Sequence, residues 1–314
     1  MRYDALTLKQ LRALETVCDK GTITAAADTL SLTPPAVHGQ LKSLEESCGV
    51  ALVRRDAGGR FVPTEEGAVL LAGHERARAA LTRAMREIEA LRRGVAGTVV
   101  LGVVSTGKYF APRIVAGLRK SLPGVDVQLV IGNRTQIIEG LENESIDVAV
   151  MGRPPRQPAN LAEAIGVHPH VMICAPGHRL AEGKVSVGAL LDEHFLLREE
   201  GSGTRILSVR YLDQMADGRP YAFTEMGSNE TIKQSVIAGL GIALISAHTV
   251  IDELASGRLA LVRAPGLPIP RQWYLLHRAD HDLTPAMRNV HDEILRNAAH
   301  MLRSEEVEQV VGRM

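Results

Sequence analysis

At 314 residues the chain is long enough for two or three domains, each able to bury its own core, and its 45% apolar and 23% charged residues exclude a disordered or fibrous protein. Thirty-six basic residues balance thirty-six acidic ones; 14 and 12 of them precede Gly94 and 22 and 24 follow it, so a basic surface on one domain is masked in the sum rather than excluded. Cys18, Cys48 and Cys174 are too few and too widely spaced for a disulfide framework or a zinc site, no apolar signal core follows the start MRYDALTLKQL, and runs such as GLGIALIS (239–246) are too short to span a bilayer. A cytoplasmic protein with no metal and no membrane partner is expected.

Leu8, Leu11, Leu14 and Val17 form a helical stripe that ends at Gly21, and Thr22 caps a second short helix carrying Ala25, Ala26, Ala27 and Leu30. Thr33, Pro34 and Pro35 then supply an N-cap hydroxyl and two prolines where a missing N–H costs nothing, so a third helix starts at about 34. Its apolar stripe is Val37, Leu41, Leu44 and Cys48; the opposite face holds Pro35, His38, Gly39, Lys42 and Ser43. Two short helices joined by a tight turn predict a helix-turn-helix, with Gly39 and the prolines letting the backbone approach base edges and His38 and Lys42 as donors. A three-helix bundle with a solvated polar face is the alternative.

Residues 51–63 read as strand, Asp56–Gly59 turn and strand, a wing bearing Arg54, Arg55 and Arg60 for phosphate or minor-groove contact; the alternative is an exposed hairpin made soluble by its arginines. Thr64 caps a helix running to about Arg93, with Glu65 and Glu66 in its first turn. Ala77, Leu81, Ala84, Ile88 and Leu91 make a heptad seam, with Leu70 one heptad ahead of it, which predicts pairing with a second copy or burial against the chain's own C-terminal domain.

The stretch TLKQLRALETVCDKGTITAAADTLSLTPPAVHGQLKSLEESCGVALVRR (7–55) resembles the LysR-type transcriptional regulators, with AVHGQLKSLEESCGV in the place of the recognition helix. The resemblance covers essentially the whole chain. It implies a winged helix-turn-helix over 1–63, a linker and dimerisation helix over 64–93, and an effector-binding domain over 94–314. The implied partners are double-stranded promoter DNA, a second copy (a dimer, then a tetramer as a dimer of dimers), a small-molecule effector and RNA polymerase. The family often has Ser-Arg where this chain has His38-Gly39.

From Val95 the pattern is α/β. Strands are expected at 99–105, 126–132 and 146–152 with helices around 108–121 and 134–143, which predicts a largely parallel sheet. A second set has strands at 170–176, 195–199, 223–228 and 242–246 and helices from Thr204 and Glu230; RQWYLLHR (271–278) and a helix after Pro285 return to the first lobe. Lobe one is then about 94–165 and 267–303, and lobe two about 166–266. Two crossings between them suggest a periplasmic-binding-protein-like domain with a ligand cleft, the fold the resemblance also implies.

Anions bind beyond strand carboxyl ends, where helix N–H groups are free. Ser105, Thr106 and Lys108 follow the first strand; Glu199, Gly203, Thr204 and Arg205 do so in lobe two; Asn229 and Glu230 open the helix of Lys233; Arg134 and Arg153 lie at two more strand ends. Each is also an ordinary cap, turn or surface cation. Together they predict a small anionic ligand and no resident cofactor. His168 and His170 have no ligand-spaced carboxylate or cysteine and are read as structural or cleft-lining.

The segments GVVSTGKYFAPR (102–113), GNRTQ (132–136), MGRPP (151–155), GSGTR (201–205) and SNETIKQSVIAGLGIALIS (228–246) resemble the branch of that family that controls Calvin-cycle carbon fixation. That resemblance implies an activator of RuBisCO-type genes and an effector that is a phosphorylated sugar or acid, or a nicotinamide nucleotide; control of another metabolic operon is the alternative. An enzyme cradling a cofactor phosphate at Gly201–Arg205 is disfavoured, because the loop lacks the lysine and spacing of a P-loop and no catalytic triad or metal set is suggested. A solute-binding transport protein is opposed by the first ninety residues.

Overall fold

Thr7, Thr22 and Thr33 each hold the chain in extended backbone and turn a hydroxyl onto the N–H three residues on, and behind them start α1 (Leu8–Lys20), α2 (Ile23–Leu30) and α3 (Pro34–Cys48). The computed structural model describes residues 6–92 and 96–312, and its chain divides into two units, 1–82 and 83–314. The boundary expected at Gly94 lies outside the described residues.

In the first unit Ala26 and Ala27 are fully buried, which lets α2 approach the apolar stripes of α1 and α3 closely around Leu14, Val17, Val37 and Leu44. The hairpin β1 (Val53–Arg55) and β2 (Phe61–Pro63) pairs antiparallel, and Oδ1 of Asp56 accepts the N–H groups of Gly58 and Arg60, both at 2.9 Å, to fix its turn. Glu45 of α3 accepts the N–H groups of Leu52 at 2.8 Å and Val53 at 3.3 Å, which ties the hairpin to that helix. Thr64 caps α4 (Glu65–Arg92) at the N–H of Gly67, where any Cβ would overlap the carbonyl oxygen of Leu52.

On α4 the side chains of Ala77, Leu81, Ala84, Ile88 and Leu91 are all exposed. Leu70, expected to head that seam, instead packs into the three-helix core, because the first two turns of α4 cover that core.

The second unit continues with β3 (Gly97–Val104), α5 (Ala111–Ser121), β4 (Val125–Gly132), α6 (Arg134–Glu142), β5 (Val148–Met151), β6 (Asn160–Val167), β7 (His170–Cys174) and α7 (Val187–Leu191). Then come β8 (His194–Arg198), α8 (Gly203–Ala216), β9 (Ala222–Met226), α9 (Asn229–Ile237), β10 (Ala243–Ser246), α10 (Ile251–Ala255), β11 (Ala260–Leu261), β12 (Gln272–Arg278), α11 (Pro285–Met301) and α12 (Ser304–Val311). Lobe one is built on the strand order β4-β3-β5-β12-β6, parallel about β3 and antiparallel about β12. Its core is the inner face of β3 and β5 against α5 and α11, centred on the fully buried Trp273 and Phe110.

Lobe two is less parallel than the βαβ pattern predicts. β8 and β9 are parallel, but β10 and β11 both run antiparallel to β7, because β7 carries the chain in from lobe one. The N–H of Leu196 donates to Ile242 and that of Ile242 to His194, each at 2.9 Å, joining the two sets of strands. Two strands and three helices escape the sequence pattern: α7, α10 and β11 are too short to show a period, and β6 and α12 escape for other reasons. β6 is an edge strand whose side chains are mostly exposed, so it has no apolar period; α12 buries only Val307 and Val310. Those two valines pack into lobe two beside Val250 and Ile251, so the chain crosses between the lobes three times, not the expected two.

Candidate DNA interface and ligand cleft

Thr33, Pro34, Pro35, His38, Gly39 and Lys42 are all exposed along one face of α3, opposite the buried Val37, Leu41 and Leu44. A Cβ at Gly39 would meet nothing within 4 Å, so packing does not require glycine there. Glycine in the middle of an exposed helix costs about 1 kcal/mol relative to alanine. Lys42 has only Glu46 nearby, at 3.9 Å.

The wing arginines differ in how committed they are. Arg55 donates to the carbonyl of Gly59 at 2.6 Å and lies 4.3 Å above the Phe61 ring, while the Arg60 guanidinium rests against Gly21 at the end of α1. Arg54 makes no hydrogen bond or ion pair with a described residue.

In the second unit, helix starts and strand ends converge between the lobes. One cavity of about 120 Å³ is walled by Ser105 and Thr106 after β3, by Gly152 and Arg153 after β5, by Ser202, Gly203 and Thr204 at the start of α8, and by Arg134, His168, His170, Arg210 and Arg271. Among the described residues, four arginines and no carboxylate line it. Ser202 sits at the N-cap of α8 without capping it, which leaves first-turn N–H groups open to the cavity. Burial, and then the positive charge of Arg153, push Arg134 below the usual guanidinium range; its Nη1 donates to the carbonyl of Arg153.

Behind that cavity lies a set of neutral histidines. His168 stacks on Trp273 with ring centroids 3.7 Å apart, and both of its ring nitrogens are buried without a partner. Burial holds His168 well below the ordinary imidazole range, His170 at about 4 and His248 at about 3. Both histidines of the 168–170 pair therefore line the cleft and form part of the core.

A second chamber of about 380 Å³ contains Ser105, Lys108, Asn133, Glu199, Asn229 and a residue that sequence alone does not single out, Arg198. Arg198 is buried. Its Nε and Nη2 reach the two oxygens of Glu199, both at 2.7 Å, Nη1 donates to Oδ1 of Asn229, and Nη2 also donates to Ser105 at 3.2 Å.

Nine of the twelve residues expected to meet an effector line one chamber or the other; Arg205, Glu230 and Lys233 do not. Arg205 is drawn to the far side of α8 by Glu225 and by the carbonyl of Arg198, each at 2.7 Å. Lys233 is buried with its charge spent on Glu253 at 2.7 Å and Glu230 at 3.1 Å, and Glu230 also accepts from Tyr109 at 3.2 Å. Helical phase is the signal that separates Arg205 from Arg210, since Gly203, Ile206, Leu207 and Arg210 form one i, i+3, i+4, i+7 stripe along the cavity. No local signal marks Arg198 or Arg271. Among the described residues no helix is long and apolar enough to cross a membrane, and no group of three or more histidines, cysteines or carboxylates is placed to hold a metal ion.

These sites sit on a recognisable relative's plan. Residues 8–68 match the bacterial regulatory helix-turn-helix protein family, lysR type, and residues 92–299 match the LysR substrate binding domain. The chain is 49% identical over 298 residues to the HTH-type transcriptional regulator CbbR of Cereibacter sphaeroides, covering 94% of this chain and 96% of that one. It is 37% identical over 298 residues to the RuBisCO operon transcriptional regulator of Allochromatium vinosum, covering 94% and 98%. Among solved structures, the Synechocystis PCC6803 CcmR regulatory domain in complex with 2-PG is similar with a TM-score of 0.59 and 31% identity, over 65% of this chain and 98% of that one. The chain belongs to the LysR family of bacterial helix-turn-helix transcriptional regulators.

Proposed function

We propose that the chain is a cytoplasmic activator of carbon-fixation genes that binds promoter DNA as a homo-oligomer and responds to a small phosphorylated metabolite held in the arginine-lined cavity. The observation that carries this reading is that cavity itself: four arginines and the open N-terminus of α8 face a space with no carboxylate. A dianion supplies the acceptors that these donors lack. CcmR, similar over this region, is described in complex with 2-PG, and the relatives named CbbR and RuBisCO operon regulator supply the gene set. Ligand contacts to Thr106 of lobe one and Thr204 of lobe two would favour the closed arrangement of the lobes.

In this reading two α3 helices and two wings meet the half-sites of an inverted repeat, paired through the exposed seam of Leu81, Ile88 and Leu91, and RNA polymerase is the downstream partner. The deciding experiment is calorimetry of the full chain with 2-PG and other phosphorylated carbon-fixation metabolites, together with binding to a carbon-fixation promoter fragment. Arg153→Ala is expected to weaken metabolite binding by at least ~10-fold, the scale of one charged hydrogen bond, and to leave promoter binding intact. Promoter binding should steepen as salt falls. Metabolite binding indifferent to Arg153→Ala, or DNA binding indifferent to sequence and salt, would overturn the proposal.

A further inference from the structure

The cleft between the lobes is partitioned by contacts that cross it. Arg198 of lobe two donates to the Ser105 hydroxyl of lobe one at 3.2 Å, and the N–H of Thr135 donates to the carbonyl of Gly201 at 3.3 Å. On one side lies the arginine cavity; on the other lies the chamber of about 380 Å³, and among the described residues Ser105 alone lines both. We propose that this second chamber is a separate binding site for a small metabolite carrying an oxyanion, a phosphate or a carboxylate, filled alongside the arginine cavity and not in its place. The proposal rests on the reading above only in assigning the first ligand to that cavity.

Charge bookkeeping gives the sign of the ligand. Arg198 is neutralised by the bidentate Glu199, whereas Lys108 has no carboxylate partner among the described residues and only lies 5.2 Å from the Tyr109 ring. One uncompensated cation therefore faces the chamber. The side chain of Asn229 gives the second, independent argument. Its Oδ1 is fixed by Arg198, which sets the orientation of the amide, and its Nδ2 is then a buried donor with no partner. It stands at the first residue of α9, where Ser228 satisfies the N–H of Thr231 and the preceding N–H groups have no intrahelical acceptor. Unmet donors and one free cation from both lobes are the complement of an oxyanion, and leave an apolar or cationic ligand unpaired.

Because Lys108 belongs to lobe one and Asn229 to lobe two, a ligand here favours the closed lobes, as one in the arginine cavity does. The two ligands therefore bind with positive coupling.

Equilibrium dialysis of the full chain against radiolabelled inorganic phosphate tests this. The intact chain is expected to bind two equivalents at saturation; Lys108→Ala, and separately Asn229→Ser, should remove one, and Arg153→Ala should remove the other. Competition with malonate separates the two sources, since a carboxylate-preferring chamber releases its phosphate first. Trp273 fluorescence and far-UV circular dichroism of each variant against the intact chain show whether the second unit still folds. A single equivalent lost with Arg153→Ala and untouched by Lys108→Ala would overturn the second site. A single equivalent lost with Lys108→Ala and untouched by Arg153→Ala would keep the chamber as the binding site and overturn the assignment of the first ligand to the arginine cavity.

Discussion

Tyr109 in lobe one donates its phenolic hydrogen to Oε2 of Glu230 in lobe two at 3.2 Å, and Lys233 holds the same oxygen at 3.1 Å. Burial, and then the charge of Glu230, push the phenol well above its ordinary range, so Tyr109 is a donor at neutral pH. The bond is one of a few that cross the cleft. Its loss should loosen closure without disturbing either lobe's core. Tyr109→Phe is expected to weaken metabolite binding about 5-fold, the effect of roughly 1 kcal/mol for a partly exposed bond, while leaving the thermal midpoint within about a degree or two. Calorimetry and a thermal melt on the same preparation check both halves.

Gly39 separates stability from recognition. With open space around its Cα, Gly39→Ala should stabilise the first unit by about 1 kcal/mol through helix propensity alone. If α3 approaches base edges at that point, the same methyl should reduce promoter affinity. A melt and a gel-shift titration are enough, and the two effects are expected to have opposite signs.

The buried histidines set a pH limit on the second unit. An unfolded imidazole takes a proton near its ordinary value of 6.5, but folded His170 does so only at about 4 and His248 only at about 3. Between those values the unfolded state binds more protons, so stability rises with pH in that window. The contribution is complete above about pH 6.5 and is lost as pH falls toward 4. Each histidine contributes a slope of about 1.4 kcal/mol per pH unit, and the pair about 3 kcal/mol between pH 6.5 and 5. Trp273 is the only tryptophan and is fully buried beside them, so its fluorescence in urea reports this unit alone. Burial holds His168 low as well, so His248→Asn should lower the combined slope by about a third.

Asp147 anchors the last turns of α4 to lobe one. It accepts the N–H of Val100 at 2.8 Å and faces Arg83 at 3.6 Å and Arg86 at 3.9 Å, whose Nε groups are buried. Asp147→Ala removes the anion from two half-buried guanidinium groups, of which Arg83 keeps Glu144 at 3.3 Å, and leaves the N–H of Val100 without its acceptor. A loss of about 1–3 kcal/mol in the second unit is expected by urea unfolding.

Much of this fold is legible in the sequence, for identifiable physical reasons. Thr22, Thr33 and Thr64 announce helix starts through local chemistry, and the stripe Val37, Leu41, Leu44 and Cys48 gives the buried face of α3 by period. β6 was not legible because an exposed edge strand has no period to read. At the cleft, Thr106, Gly203 and Thr204 could be found because strand ends and glycine turns are local signals. Arg198 and Arg205 could not be ranked, because both are arginines near one loop, and only the tertiary positions of Glu199, Asn229 and Glu225 send one inward and the other out.

The third crossing has a mechanical consequence. Two bodies joined by two tethers can swing like a door, but α12 adds a third, fastened to lobe two by Val307 and Val310 and locked at its start by Arg303, whose guanidinium holds Asp252 at 3.0 Å and Glu306 at 3.2 Å. Any movement of one lobe against the other must therefore also bend the joint between α11 and α12 at Leu302 and Arg303, in addition to the two strand connections.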